Sequence, residues 1–373
     1  SFLSLPARAA PPAALSATDA GASPDGKTLA TAPLQKAIDQ LSSQGGGTLN
    51  FPPGQYLTGT LQLKSNVSLH LDANATLLGS TNPADYRNLD PFTDGSGNPM
   101  GHALLVALDA SNVAIDGPGT IDGQGAKLAA NEHPFTIRPF LVRFVRCNHI
   151  SVKDVHLENP GAWTLNFAQS DHAAVDHVTI RSRDEKLRNN DGVNIDSSTN
   201  ISVKDCDVIS GDDALVIKST AAGKPSSHIS AENCQLSTRT NAIKLGTESI
   251  GGFSDISVSH CFITNTDMAG IALYEVDGAV TRAGIAASLA RDLHLQPLTQ
   301  DAGYLQGAAP MAHPALTGFR SHIVVPYSKQ RAATALQALP SPPDQSHAAS
   351  LEVKSRGPNL QGIDTDQLQR HWK

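Results

Sequence analysis

The chain has 373 residues, of which 17% are charged, 40% hydrophobic and 5% aromatic, with 30 Gly, 23 Pro and 4 Cys. That mix excludes an intrinsically disordered chain, a disulfide-dense mini-protein and a coiled coil. A formal charge of −7 implies no basic face for nucleic acid or an anionic membrane, and no apolar run approaches the roughly 18 residues of a membrane span.

Residues 1–22 are rich in Ala and Pro, with small residues around Ala7-Arg8-Ala9-Ala10. They read as the remnant of an export signal or a disordered leader outside the fold. Thr31 to Gly47 (TAPLQKAIDQLSSQGGG) has the apolar spacing of a short helix stopped by glycines. Such a helix caps the open end of a solenoid, whose strand edges otherwise invite aggregation. NVSLHLDANATLLGS from Asn66 and NVAIDGPGTIDGQG from Asn112 read as loose coils of that solenoid.

Regular rows follow: HISVKDVHL at His149, HAAVDHVTI at His172, NISVKDCDVI at Asn200, HISAENCQL at His228 and DISVSHCFI at Asp255, with starts 23, 28, 28 and 27 residues apart. Each alternates apolar and polar residues, the mark of a strand with one face inward. Superposed, they give columns of like residues, Val155, Val178, Cys206, Cys234, Cys261 and Leu157, Ile180, Val208, Leu236, Ile263. A second strand completes each coil: TLNF at Thr164, GVNI at Gly192, ALVI at Ala214, AIKL at Ala242 and GIAL at Gly270. Stacked coils of this length predict a parallel β-helix, since a sandwich would need hairpin turns between its strands. The three cysteines in one column read as small buried hydrophobes, with a disulfide as the competing explanation. No CxxC pair or His/Cys ligand spacing marks a metal site.

The hydrophobic monotony breaks at Asn189-Asn190-Asp191-Gly192 and Gly211-Asp212-Asp213-Ala214. Aligning the strands that follow puts Asp191 and Asp213 in a column with Trp163 and Asn241, and Asn190 and Asp212 in the next column with Thr240. Coils lie about 4.8 Å apart, so the three carboxylates crowd together and at least one keeps a proton. A protonated acid beside ionised carboxylates is what glycoside hydrolysis needs, with roughly 6.5–9.5 Å between acid and base in inverting enzymes. On spacing alone the same strings also fit turn chemistry, or a Ca²⁺ ion held between the columns.

The stretch NNDGVNIDSSTNISVKDCDVISGDDALVIKS (Asn189 to Ser219) closely resembles the catalytic core of family 28 glycoside hydrolases, the polygalacturonase family of pectin-degrading parallel β-helices. DGKTLATAPLQKAIDQ, GGGTLNFPPGQYLTGTLQLKSNVSLHLDANATLLGS and GTIDGQG also resemble it, so the resemblance runs from about Ala17 to Gly278. It implies that Asp212 is the general acid, that Asp191 and Asp213 activate the water, and that hydrolysis inverts the anomeric centre. No cofactor or metal is implied, and the partner is a pectic polysaccharide.

The chain departs from the family in two places. Where polygalacturonases carry Gly-His-Gly, Thr240 stands in the His position of Arg239-Thr240-Asn241. Where they carry an Arg-Ile-Lys element that grips the uronate carboxylate, this coil reads Gly270-Ile271-Ala272. These losses point to a divergent branch acting on rhamnogalacturonan or pectin side chains. Lys218 and Lys244 are the substitute uronate contacts. Asn190, Thr240, Glu248, Tyr274 and Glu275 are further sugar contacts, and Trp163 is a stacking platform. A structural ion pair with Asp196 competes for Lys218, and plain packing competes for Trp163.

After Gly278 the rows stop. Residues 279–373 read as an atypical, partly disordered C-terminal region, with a helix expected over Arg282 to His294 and strand character near Ser321. The expected fold is therefore all-β, a single-stranded right-handed parallel β-helix over 23–278 with a short N-terminal capping helix. The protein is expected to be monomeric, secreted or periplasmic, and bound to neither nucleic acid nor membrane. A Ca²⁺-dependent pectate-lyase-like enzyme and a non-catalytic carbohydrate-binding β-helix are the alternatives.

Overall fold

A strand with period-two alternation buries one face, and a repeat of constant phase returns the chain to the same column after each turn. The computed structural model describes residues 13–273, apart from 96, 132–133, 135, 185–186 and 268, and two short antiparallel strands, Gln296–Pro297 and Leu305–Gln306. The helix expected over 282–294 and the strand near 321 lie outside the described residues.

Three sheets run the length of a parallel β-helix. The first has nine strands, from Ala13–Ser16 to Phe253–Ser259, and the second has eight, from Gly54–Thr58 to Phe262–Thr266. The third runs from Leu61–Leu63 to Ala269–Leu273 and carries one antiparallel strand, Asn88–Thr93, at its side. One coil accordingly holds three strands, as in Thr199–Lys204, Asp207–Ser210 and Leu215–Ser219. The expected column Leu157, Ile180, Val208, Leu236, Ile263 is the observed register of the second sheet. Inside, Phe144 and Phe167 stack at 5.4 Å, with Ile195 and Ile217 continuing the column, all four fully buried.

The polar residue that opens each row has a backbone reason. Asn66, Asn112, His149, His172, Asn200, His228 and Asp255 all adopt φ between 51° and 62°, the left-handed region that Asn, Asp and His tolerate better than other side-chain-bearing residues. A second device turns the chain from the third sheet into the first. The buried Ser170, Ser198 and Ser226 form a ladder in which Ser170 N donates to Ser198 Oγ (2.9 Å) and Ser198 N to Ser226 Oγ (3.2 Å), while Ser198 Oγ donates to the Asp196 carbonyl (2.8 Å).

The structure corrects the leader reading for residues 13–22, while residues 1–12 lie outside the described residues. Ala13–Ser16 is the first strand of the first sheet, in register with Gly47–Asn50, and Ala17 and Ala22 are buried. The helix Thr31–Ser43 buries Leu34, Ala37, Ile38 and Leu41 at this end of the solenoid, the expected capping role. Cys206 and Cys234 are buried free thiols and Cys261 is a partly exposed one.

One addition to the solenoid shapes the site. The hairpin made by Asn88–Thr93 and the start of Pro99–Leu108 is held against the third sheet by Arg143. The Arg143 guanidinium donates to the carbonyls of Leu89 (2.9 Å) and Asp90 (3.0 Å) and to Asp90 Oδ2 (3.2 Å), with its carbon 5.0 Å from the centre of the Phe92 ring.

Because the Ser198 hydroxyl is the acceptor for the buried Ser170 N–H, Ser198→Ala orphans that donor. Urea unfolding should show a loss of about 1–3 kcal/mol; an unchanged midpoint would mean the ladder is dispensable.

Candidate active site

The strands of the third sheet are preceded by turns in which the ladder continues. Gly192 N donates to the Asp213 carbonyl (2.9 Å), Thr164 N to that of Asp191 (2.9 Å) and Ala214 N to that of Asn241 (3.0 Å). Trp163, Asp191, Asp213 and Asn241 are thereby stacked one strand spacing apart, as the sequence columns predict. Asp191 and Asp213 are 4% and 2% exposed, whereas Asp212 is half-exposed.

Asp213 is held by three neighbours. Its Oδ1 accepts from Asn241 Nδ2 (2.7 Å) and lies 3.1 Å from Thr240 Oγ1, and its Oδ2 is 2.6 Å from Lys244 Nζ. Burial works against the Lys244 charge, but Asp213, Asp191 and Asp212 outweigh it and hold the lysine above its ordinary pKa. Asp212 Oδ1 accepts from Asp213 N (2.9 Å) and is also 3.1 Å from Thr240 Oγ1. The single hydroxyl hydrogen of Thr240 therefore lies between two carboxylates and serves one at a time. Asp191 accepts from Asn194 Nδ2 (3.2 Å). Burial, and then the charges of Asp212 and Asp213, push Asp191 well above the usual carboxylate range, with Lys218 and Lys244 opposing. The trio thus has one carboxylate tied to a cation, one whose proton affinity burial raises, and one open to solvent.

Several expected contacts change role. Lys244 lies against Asp213 as its counterion, so the structure corrects its reading as a uronate contact. Asn190 is fully buried beneath Gly211, where a Cβ would come within 2.5 Å of both its amide atoms. Its amide donates to the Ser182 carbonyl, and Ser182 Oγ donates back to the Asn190 carbonyl, so Asn190 shapes the turn and touches no sugar. Trp163 is 5% exposed, edge-on to Phe140 at 5.0 Å and 6.1 Å from Phe92 of the hairpin. With Lys218 Nζ 4.3 Å from its ring centre, it offers no face to a sugar, and the packing explanation holds. Lys218 is itself buried, and Asp196 accepts from Thr220 and Ser197. Thr240 stands half-exposed beside Asp212. Glu248 lies on the strand Asn241–Ser249 with its side chain outside the described ones, and Tyr274 and Glu275 lie outside the described residues.

Sequence reasoning missed Arg138. Its Nη1 donates to Asn189 Oδ1 (3.1 Å) and its Nη2 to the Arg188 carbonyl, beside the turn that carries Asp191. Burial lowers its pKa, while Asp94, Asp191 and Asp212 raise it. Laying the coil FLVRFV over TLNFA would have placed Arg138 in the column of Asn189 and Gly211. A cation between the carboxylate columns would have to displace Lys244. The described cluster able to share an ion is instead Asp176, His177 and Asp205, in a turn between the first and second sheets. Among the described residues no helix is long and apolar enough to cross a membrane.

Residues 42–283 match the family described as "Glycosyl hydrolases family 28". The chain is similar to a "Probable polygalacturonase" of Vitis vinifera, at 30% identity over 68% of this chain and 55% of that protein. It is also similar to an "Exo-poly-alpha-D-galacturonosidase" of Dickeya chrysanthemi, at 28% identity over 69% of this chain and 51% of that protein. The chain spans about half the length of these curated relatives. A hyperthermoactive exopolygalacturonase from Thermotoga maritima shares the fold with a TM-score of 0.60 and 26% identity, over 70% of this chain and 69% of that one.

A carboxyl whose pKa is raised by folding binds a proton that the unfolded chain releases, so stability falls as pH rises from the ordinary Asp value of 3.8 through the raised one. Asp191→Asn removes that loss. Its melting temperature should exceed that of the wild type at pH 7, with the gain vanishing toward pH 4; equal melting at both pH values would contradict the buried, proton-holding Asp191.

Proposed function

The chain belongs to glycosyl hydrolase family 28, and on that premise we propose that it hydrolyses pectic polysaccharide, polygalacturonate first, by inverting acid/base catalysis. The observation that carries the proposal is the asymmetry of the three carboxylates: one half-exposed, two buried, and one of the buried pair held by Lys244.

Asp212 is the proton donor because it is the member of the trio that a glycosidic oxygen can reach. Burial and the charges of Asp212 and Asp213 raise the affinity of Asp191 for a proton. The proton moves to Asp212, which leaves Asp191 ionised beside Asp213. Asp212 then protonates the leaving oxygen as the glycosidic bond breaks. A water held by Asp191 and Asp213 attacks the anomeric carbon from the opposite side and yields its proton to that pair, so the enzyme ends with as many protons as it began. A diagonal across one coil leaves room for the water that inversion requires. A polymer of this size acts outside the cytoplasm, which fits the expected secreted or periplasmic location.

The losses at Thr240 and at Gly270-Ile271-Ala272 favour rhamnogalacturonan as a second substrate. Chromatography of digests of homogalacturonan and rhamnogalacturonan side by side separates the two, and an unsaturated, ultraviolet-absorbing product would indicate a lyase instead. Asp212→Asn should lower kcat by about 10²–10⁴-fold with an unchanged melting curve; full activity in this variant on the substrate that the wild type cleaves would overturn the assignment.

A further inference from the structure

The family's uronate-gripping cations stand, by sequence, at positions filled here by Gly270 and Ala272. The nearest substitute in that column is Lys244, in register with Ala272, and its ammonium is engaged with Asp213. Lys218 is buried over Trp163. An acidic polymer still has to be held against a site rich in carboxylates, so a cation must meet it from another side.

Arg138 has the position for that. It precedes Pro139, whose carbonyl accepts from Gly161 N (3.1 Å) and Ala162 N (2.9 Å) of the next coil. It reaches past that coil to Asn189 and Arg188 in the coil of Asp191. Gly161 packs closely on Pro139, since a Cβ there would lie 2.6 Å from Pro139 Cδ. The bonds that hold the guanidinium go to neutral oxygens, an amide and a carbonyl. Among the described residues no carboxylate lies within ion-pair distance of it. A half-buried guanidinium held by neutral acceptors retains donors in a planar fork, the geometry that matches a carboxylate.

We propose that Arg138, spanning Gly161 to reach Asn189, binds the carboxylate of a galacturonate unit on the Asp191 side of the cluster and is the specificity-determining residue for acidic substrate in this chain. This rests on the proposed pectic hydrolase activity. It shifts uronate recognition from the upper coils, where the family places it, to the coils below the carboxylates. Burial lowers the Arg138 pKa, with Asp94, Asp191 and Asp212 opposing, and a guanidinium stays charged at neutral pH.

The test compares trigalacturonate with its methyl ester, by calorimetric titration of the full chain and of Arg138→Gln and Arg138→Lys. Arg138→Gln should weaken trigalacturonate binding about tenfold or more and leave the ester within twofold. Arg138→Lys, which keeps the charge without the fork, should fall between wild type and Arg138→Gln. A merely structural role for Arg138 would weaken both ligands alike, and that outcome overturns the inference, as does unchanged affinity for the acid. If Arg138→Gln does not fold, Arg138→Lys decides: an acid-to-ester preference equal to wild type overturns the inference, and a reduced one supports it. Wild-type protein that binds the acid and cleaves polygalacturonate while the variants keep its preference refutes this inference alone. Wild-type protein that neither binds nor cleaves refutes the pectic activity, and this inference with it.

Discussion

Parallel stacking places every residue directly beneath the residue one coil later, about 4.8 Å away, and this constraint governs both the core and the site. In the core it is favourable, because Leu157, Ile180, Val208, Leu236 and Ile263 stack in register and pack into one apolar core. In the turns before the third sheet the same register brings Asp191 beneath Asp213, with Asp212 beside them. Like charges so placed repel, and a fold that could slide its coils would separate them. This one cannot, since slipping by a single residue would turn every apolar column outward.

The repulsion is absorbed in two ways. Lys244 rises from the next coil to neutralise Asp213 at 2.6 Å, and burial raises the affinity of Asp191 for a proton. Thr240, standing in the position of the family's His, lies between Asp212 Oδ1 and Asp213 Oδ1 with its one hydroxyl hydrogen. The column that carries Lys244 reads Val216, Lys244, Ala272, so the lysine stands one coil nearer the acids than the family's Lys. Near the acids it acts as a counterion, and the loss of a gripping cation farther up follows from the same displacement. The site spends stability for chemistry, as functional clusters commonly do.

How much of this was legible in the sequence depends on the range of the interaction. Columns are a matter of repeat phase, so the pairing of Asp191 with Asp213 and the apolar ladders could be read from five rows of letters. The capping helix was legible too, because Leu34, Ile38 and Leu41 carry its spacing locally. Trp163 was misread as a sugar platform because what covers it, Phe92, comes from a hairpin about seventy residues earlier in the chain, and the hairpin is held by Arg143, whose long reach leaves no periodic trace. Lys244 was misassigned because a column gives a side chain's address and not its direction. Ala13–Ser16 passed for a leader because an edge strand of small residues carries little alternation, and its place is set by pairing with Gly47–Asn50. Arg138 escaped notice because its partner, Asn189, lies two coils away.

The central claim is that a half-exposed acid and a buried carboxylate pair act on opposite sides of one glycosidic bond. Proton magnetic resonance of a fresh wild-type digest of polygalacturonate, recorded before the anomers equilibrate, tests it most directly. The account predicts that the first new reducing ends are β from the α-linked polymer and drift to the equilibrium mixture afterwards. New ends that appear first as α would contradict it.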